Sequence, residues 1–159
     1  MRLVIDCDDA AENLKQALYE HAKALGYEID DLAYQKTHDC DYPDVAFNLA
    51  RKVAAGEYDR GILVCGTGLG VAMCANKVQG AYAGTCHDVF SAERLKKSND
   101  ANIITMGERV IGVEHAKKVL EAFLDAKEFQ TKSQRKVDRM RELEAESFGE
   151  KIKITADQR

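Results

Sequence analysis

Apolar residues occur in two alternating patterns along the chain, short continuous runs and longer stretches with a helical period. The continuous runs predict strands at Arg2 to Cys7, Tyr27 to Leu32, a segment ending at Cys65, Ala81 to Cys86 and Asn102 to Met106, because a strand covered on both faces needs no polar alternation. Leu14, Leu18, Ala22 and Leu25 share one face of a helix predicted over Ala11 to Leu25 and ended by Gly26. Pro43, the single proline, suits the first turn of a second helix reaching about Ala55. Further helices are expected from Val71, over Val89 to Lys97 and over Val113 to Leu124. Strands alternating with helices predict one α/β domain over residues 1–125, a five-stranded parallel sheet wound on both faces. Residues 126–159 read as a polar helical tail. Its thin stripe of Val137, Met140 and Leu143 predicts packing on a partner subunit, and the end from Phe148 reads as loosely ordered.

Ligands of such sheets bind beyond the carboxyl ends of the strands. Three loaded loops lie there: Asp6-Cys7-Asp8-Asp9, Cys65-Gly66-Thr67-Gly68 and Cys86-His87-Asp88. The second carries the most chemistry. A buried strand runs into a cysteine, a threonine and the alternating glycines 66, 68 and 70, and a helix follows at once. Amides at that helix start attract negative charge, glycine admits a ligand close to the backbone, and the same field is expected to favour a thiolate at Cys65. Val71 stands where a dinucleotide fingerprint or a P-loop needs glycine, and where a Cys-x5-Arg phosphatase needs arginine. The plainer alternative is a glycine-rich turn with Cys65 as a small hydrophobe.

Composition narrows the classes. The 159 residues suit one domain, and a net charge of −4 gives no footprint for nucleic acid. Five cysteines at 7, 40, 65, 74 and 86, an odd count without a C-x-x-C pair, argue against a disulfide framework or a zinc site. No metal or cofactor is expected. No apolar run approaches the ~18 residues of a membrane span, and the chain enters a strand at its start, so a cytoplasmic protein without a signal peptide is expected.

Cys7-Asp8, Asp41-Tyr42-Pro43, Cys65-Gly66-Thr67-Gly68-x-Gly70, Ala75-Asn76-Lys77, Phe90-Ser91-Ala92, Asn99-Asp100-x-Asn102 and Gly107-x-Arg109-Val110 occur in one order from Met1 to about Leu124. This set resembles the family of ribose-5-phosphate isomerase B and the galactose-6-phosphate isomerase subunits. The resemblance implies a Rossmann-like three-layer α/β/α fold, sites at a subunit interface, and metal-free aldose–ketose isomerisation of a sugar phosphate through a cis-enediolate. It implies a homodimer or a dimer of dimers, or pairing with a related second subunit. Cys65 would be the base and Thr67 a proton shuttle, with amides of Gly66, Gly68 and Gly70 stabilising the enediolate. Asp8, Asp9 and Tyr42 would hold sugar hydroxyls, Asn99 would contact substrate, and Arg109 matches a position at the phosphate end supplied by a partner subunit.

This chain departs from the pattern at informative places. Asp9 and Ser98 stand where ribose-type members carry histidines, the second of which opens the sugar ring. Substrates needing little ring opening, such as tetrose 4-phosphates, are therefore expected. The phosphate-clamping Arg-His-x-x-Arg pattern aligns with Lys132-Ser133-Gln134-Arg135-Lys136, so Lys132, Arg135 and Lys136 are candidate phosphate contacts or else a solvated face. His38 and His87 either replace the missing imidazole or are plain surface histidines. Cys7, Cys74 and Cys86 read as buried hydrophobes.

Overall fold

The computed structural model describes residues 1–126 and 129–149. Five parallel strands, β1 (Arg2–Cys7), β2 (Glu28–Asp31), β3 (Arg60–Cys65), β4 (Ala83–Thr85) and β5 (Ile103–Gly107), lie in the order β2-β1-β3-β5-β4. The apolar runs sort by this order. Central β3 is buried along its whole length, as is β5, while β4 at one edge is only half-buried.

Helices α1 (Glu12–Ala24), α2 (Tyr34–Thr37), α3 (Tyr42–Ala54), α4 (Leu69–Ala75), α5 (Val89–Asn99), α6 (Val113–Asp125) and α7 (Gln134–Gly149) complete the chain. Strand alternation sends Leu3, Ile5, Ile62, Val64, Ile104 and Met106 toward α1, α5 and α6. Val4, Leu63, Cys65 and Ile103 point the other way, toward α3 and α4. The fold is thus the expected three-layer α/β/α sandwich of Rossmann-like type. Added elements among the described residues are α2, a four-residue turn in a stretch without apolar periodicity, and a short 3-10 turn at Thr131–Ser133 ahead of α7.

Two helix ends are satisfied by charges from distant parts of the chain. Ala11 begins α1 without a side-chain cap, and Glu108 supplies one: its carboxylate accepts from the Leu14 amide at 2.9 Å. A negative charge there also complements the helix dipole. At the other extreme, buried Arg60 donates to the carbonyls of Phe123, Leu124 and Ala126 at the end of α6. Burial pulls the Arg60 pKa below its ordinary value.

The tail is tied to its own chain. Val137 is 3% exposed, Arg141 pairs with Asp100 at 2.7 Å, and Glu144 accepts from the Tyr82 hydroxyl at 2.6 Å. Met140 and Leu143, the rest of the predicted stripe, stay exposed. The loose end expected from Phe148 begins within α7, and beyond Gly149 it lies outside the described residues.

Candidate active site

The chain crosses from one side of the sheet to the other between β1 and β3, and Cys65 lies at the carboxyl end of β3 beside that switch point. Its sulfur is buried and accepts the Gly68 amide at 3.1 Å. Gly68 takes φ +80°, and a Cβ there would meet the Met106 carbonyl carbon at 2.9 Å. Glycine is therefore required both by conformation and by space.

The buried Thr105 and half-buried Thr85 hydroxyls fix the orientation of this turn. The Gly68 carbonyl lies 2.8 Å from the Thr105 hydroxyl and 3.1 Å from that of Thr85, and the two hydroxyls are 2.8 Å apart. Two hydroxyl protons cannot serve three contacts, so the shortest pairing runs Thr85 to Thr105 to the Gly68 carbonyl. Opposite, the Glu108 amide donates to the Cys65 carbonyl at 3.0 Å and the Arg109 amide to the Gly66 carbonyl at 3.1 Å. A Cβ on Gly107 would lie 2.5 Å from Thr67 backbone atoms, so the end of β5 backs directly onto the cysteine turn.

Exposed side chains surround it. Thr67 is exposed and its hydroxyl accepts the Leu69 amide at 3.3 Å. The Arg109 guanidinium lies over Gly66, where an added Cβ would meet it at 3.4 Å, so Arg109 reaches the cysteine turn of its own chain. The Tyr42 ring covers Gly70 from the start of α3. Burial raises the Asp8 pKa, with Asp9 adding to the rise, while the Ala10 amide and Arg109 oppose it. Asp8 and exposed Asp9 line a cavity of about 230 Å³ with Asp6, Lys15 and Lys36, and Cys65 is not part of that lining.

Asn99, Lys132, Arg135 and Lys136 are not brought to this turn. Asn99 ends α5 just ahead of β5, and the Gly61 amide at the start of β3 donates to the neighbouring Asn102 carbonyl. The four residue steps from Gly61 to Cys65 span ~13 Å of strand. The tail joins Asn99 at that far end, since the Gln130 amide donates to the Lys97 carbonyl at 2.8 Å. Lys132, Arg135 and Lys136 are all exposed there, and none forms an ion pair among the described residues.

The histidine candidates divide. His38 is exposed and stacks on Tyr34 at 3.9 Å. His87 is half-buried, and its Nε2 accepts the Gly107 amide at 2.9 Å. The buried-hydrophobe reading holds for Cys7 and Cys86, whose thiols burial pushes up to about 12 and about 11. Cys74 is only half-buried.

Thr85, Thr105 and Glu108 are not singled out by the sequence, and Asp6 enters there only as a member of the loop after the first strand. Asp6 and Thr105 carried a signal, a polar residue inside an otherwise apolar strand. Asp6 is fully buried and accepts from the Cys7 and Tyr34 amides at 2.9 and 3.3 Å. Burial raises its pKa to about 6, against the two amides and Lys15. Among the described residues no group of three or more His, Cys, Asp or Glu could hold a metal ion, and no helix is long and apolar enough to cross a membrane.

Known proteins resemble this chain in architecture and in sequence. The ribose/galactose isomerase family model matches residues 3–140. A ribose-5-phosphate isomerase B of Listeria innocua is 43% identical over 144 residues, covering 91% of this chain and 97% of that protein. A D-erythrulose-4-phosphate isomerase of Pectobacterium atrosepticum is 44% identical over 127 residues, covering 79% of this chain and 84% of its own. The ribose-5-phosphate isomerase B structure from Clostridium thermocellum superposes with a TM-score of 0.86 at 38% identity, covering 92% of this chain and 99% of the other. With the glycine-backed cysteine turn at the sheet's switch point, these matches place the chain in the ribose/galactose isomerase family of sugar-phosphate isomerases.

Proposed function

We propose that this protein interconverts the ketose and aldose forms of a four-carbon sugar phosphate, with Cys65 as the base. The observation that carries the proposal is the Cys65 sulfur at the end of the central strand, held by the Gly68 amide at 3.1 Å beside an exposed guanidinium. In the direction from ketose to aldose, the Cys65 thiolate removes a proton from C1, the C–H pair becomes the C1=C2 bond, and O2 takes the negative charge. The same proton returns to C2. The O1 proton passes to O2, with Thr67 as the shuttle, and leaves the aldose carbonyl at C1. Amides of the Gly66 to Gly70 turn other than those of Gly68 and Leu69, which the Cys65 sulfur and the Thr67 hydroxyl hold, would face the developing charge, where each preorganised donor contributes about 3 kcal/mol.

Chain length follows from the missing imidazoles. A tetrose 4-phosphate has its fourth oxygen esterified and cannot close a furanose ring, so Asp9 and Ser98 leave no step uncatalysed. The Pectobacterium relative, named for D-erythrulose 4-phosphate, supports this choice. Asp8 and Tyr42 would hold hydroxyls, and Arg109 would hold the phosphate end. Asn99, Lys132, Arg135 and Lys136 lie too far from their own Cys65, so they would complete the site of a second subunit. A related partner chain in place of a second copy is the other reading favoured by that separation.

Turnover of D-erythrulose 4-phosphate by the purified chain tests the proposal directly. Cys65→Ser should lower kcat by about 10²–10⁴-fold while leaving folding nearly intact. Wild-type exchange of the C1 or C2 deuterium label in that variant would refute the base assignment. Efficient use of ribose 5-phosphate would refute the chain-length assignment, and inactivity on every open-chain sugar phosphate would favour the related-partner reading.

A further inference from the structure

The β4–β5 ladder ends in an unusual way. Ala83, Gly84 and Thr85 pair with Ile103, Ile104 and Thr105, and the Cys86 amide still donates to the Thr105 carbonyl at 3.0 Å. In a continuing parallel ladder the next amide of β5 on that side, that of Gly107, would take the Cys86 carbonyl. It takes the imidazole of His87 instead, at 2.9 Å. The ring thus replaces backbone pairing at the last rung, where the chain turns away into α5.

Gly107 is the residue on which the cysteine turn rests. On its β3 side, the next two amides, of Glu108 and Arg109, hold the carbonyls of Cys65 and Gly66. On its face, Thr67 backbone atoms approach too closely to admit a Cβ. We infer that His87 is a positioning residue for isomerisation, acting through Gly107 to set the spacing between the cysteine turn and the Arg109 side chain. This rests on the proposed roles of Cys65 and Arg109. His87 does not touch the reacting atoms, and so differs from an imidazole that opens a ring. Accepting at Nε2 requires a neutral ring with its proton on Nδ1. Burial favours that neutral form by lowering the His87 pKa, against the charge of Asp88. Asp88 itself is occupied as the cap of α5, accepting from the Ser91 amide at 2.7 Å.

The test uses the full chain with His87→Phe, which keeps a planar ring without an acceptor, and His87→Gln, which restores an acceptor at similar reach. Two readouts are taken at matched melting temperature: kcat and KM on D-erythrulose 4-phosphate, and hydrogen exchange of the Gly107 amide. His87→Phe should speed Gly107 exchange and lower kcat, each by about tenfold, with KM within about twofold, as loss of one buried hydrogen bond implies. His87→Gln should return both to within about threefold of wild type. If phenylalanine is not accommodated, His87→Ala gives the same comparison. Unchanged Gly107 exchange in His87→Phe, or a His87→Gln variant as impaired as His87→Phe, would overturn the inference. If the wild type turns over no sugar phosphate, the proposed function fails, and Gly107 exchange still decides whether the ring holds the strand end.

Discussion

The two ends of the sheet are built on opposite principles. At the carboxyl end, Cys65 is surrounded by fixed partners: a glycine amide on its sulfur, the Thr105 hydroxyl on the Gly68 carbonyl, and the end of β5 stitched across. At the amino end, Asn99, Lys132, Arg135 and Lys136 are exposed side chains on helix surfaces. A group held by many buried partners is fixed before substrate arrives, whereas exposed lysines and arginines gain defined positions only when something docks against them. On the proposed roles, one chain would supply a fixed chemical centre at one end and unfixed binding groups at the other.

Substitutions can break each side of this contrast separately. The largest effect is expected from Gly107→Ala, whose methyl would have only backbone to displace. Its kcat should fall by about 10²-fold or more, the cost of a displacement near 1 Å at a reacting centre. A variant with wild-type kcat would show that the turn yields easily.

Next comes acid and base. Between the ordinary carboxyl value of 3.8 and about 6, the unfolded chain has released the Asp6 proton while the folded chain retains it. The Asp6 contribution is thus fully present below 3.8 and is lost as pH rises through about 6. A shift of this size corresponds to an upper bound of about 3 kcal/mol. Denaturant titrations of wild type and Asp6→Asn from pH 4 to pH 7 should show that decline only in the wild type. Parallel slopes would remove Asp6 as its cause.

The amino end should respond to salt instead. Replacing Lys132, Arg135 and Lys136 together by alanine should raise KM about tenfold with kcat nearly kept, and should flatten the rise of KM with salt, since exposed charges are screened over about 8 Å. With substrate well below KM, mixing that variant with Cys65→Ser subunits should bring kcat/KM to about a quarter of the wild-type value, if a two-fold pair shares its sites. No recovery on mixing would assign these residues to a solvated face. The smallest effect is expected from Gly70→Ala, whose methyl meets only the half-exposed Tyr42 ring. A melting temperature within a few degrees of wild type, for a change below about 1 kcal/mol, would mark how sharply tolerance changes within one turn.

The five strands, the paired helices and the cysteine turn were legible because each is written locally. A buried strand needs an unbroken apolar run, a helix needs a stripe at its own period, and Gly68 is required by its positive φ. The candidate centre at Cys65 followed from those alone, with the motif order supplying roles for its neighbours. Tertiary structure decided which chemistry-bearing residues meet. It separated Asn99 and the basic tail from Cys65, laid Arg109 against Gly66, and brought Glu108 to α1, Arg60 to α6 and His87 to Gly107. Each of those partners is 20 or more residues away along the chain. Local periodicity carries no term for such distances, and only the packing of three layers, which leaves a buried amide or carbonyl needing a partner, selects the side chain that answers it.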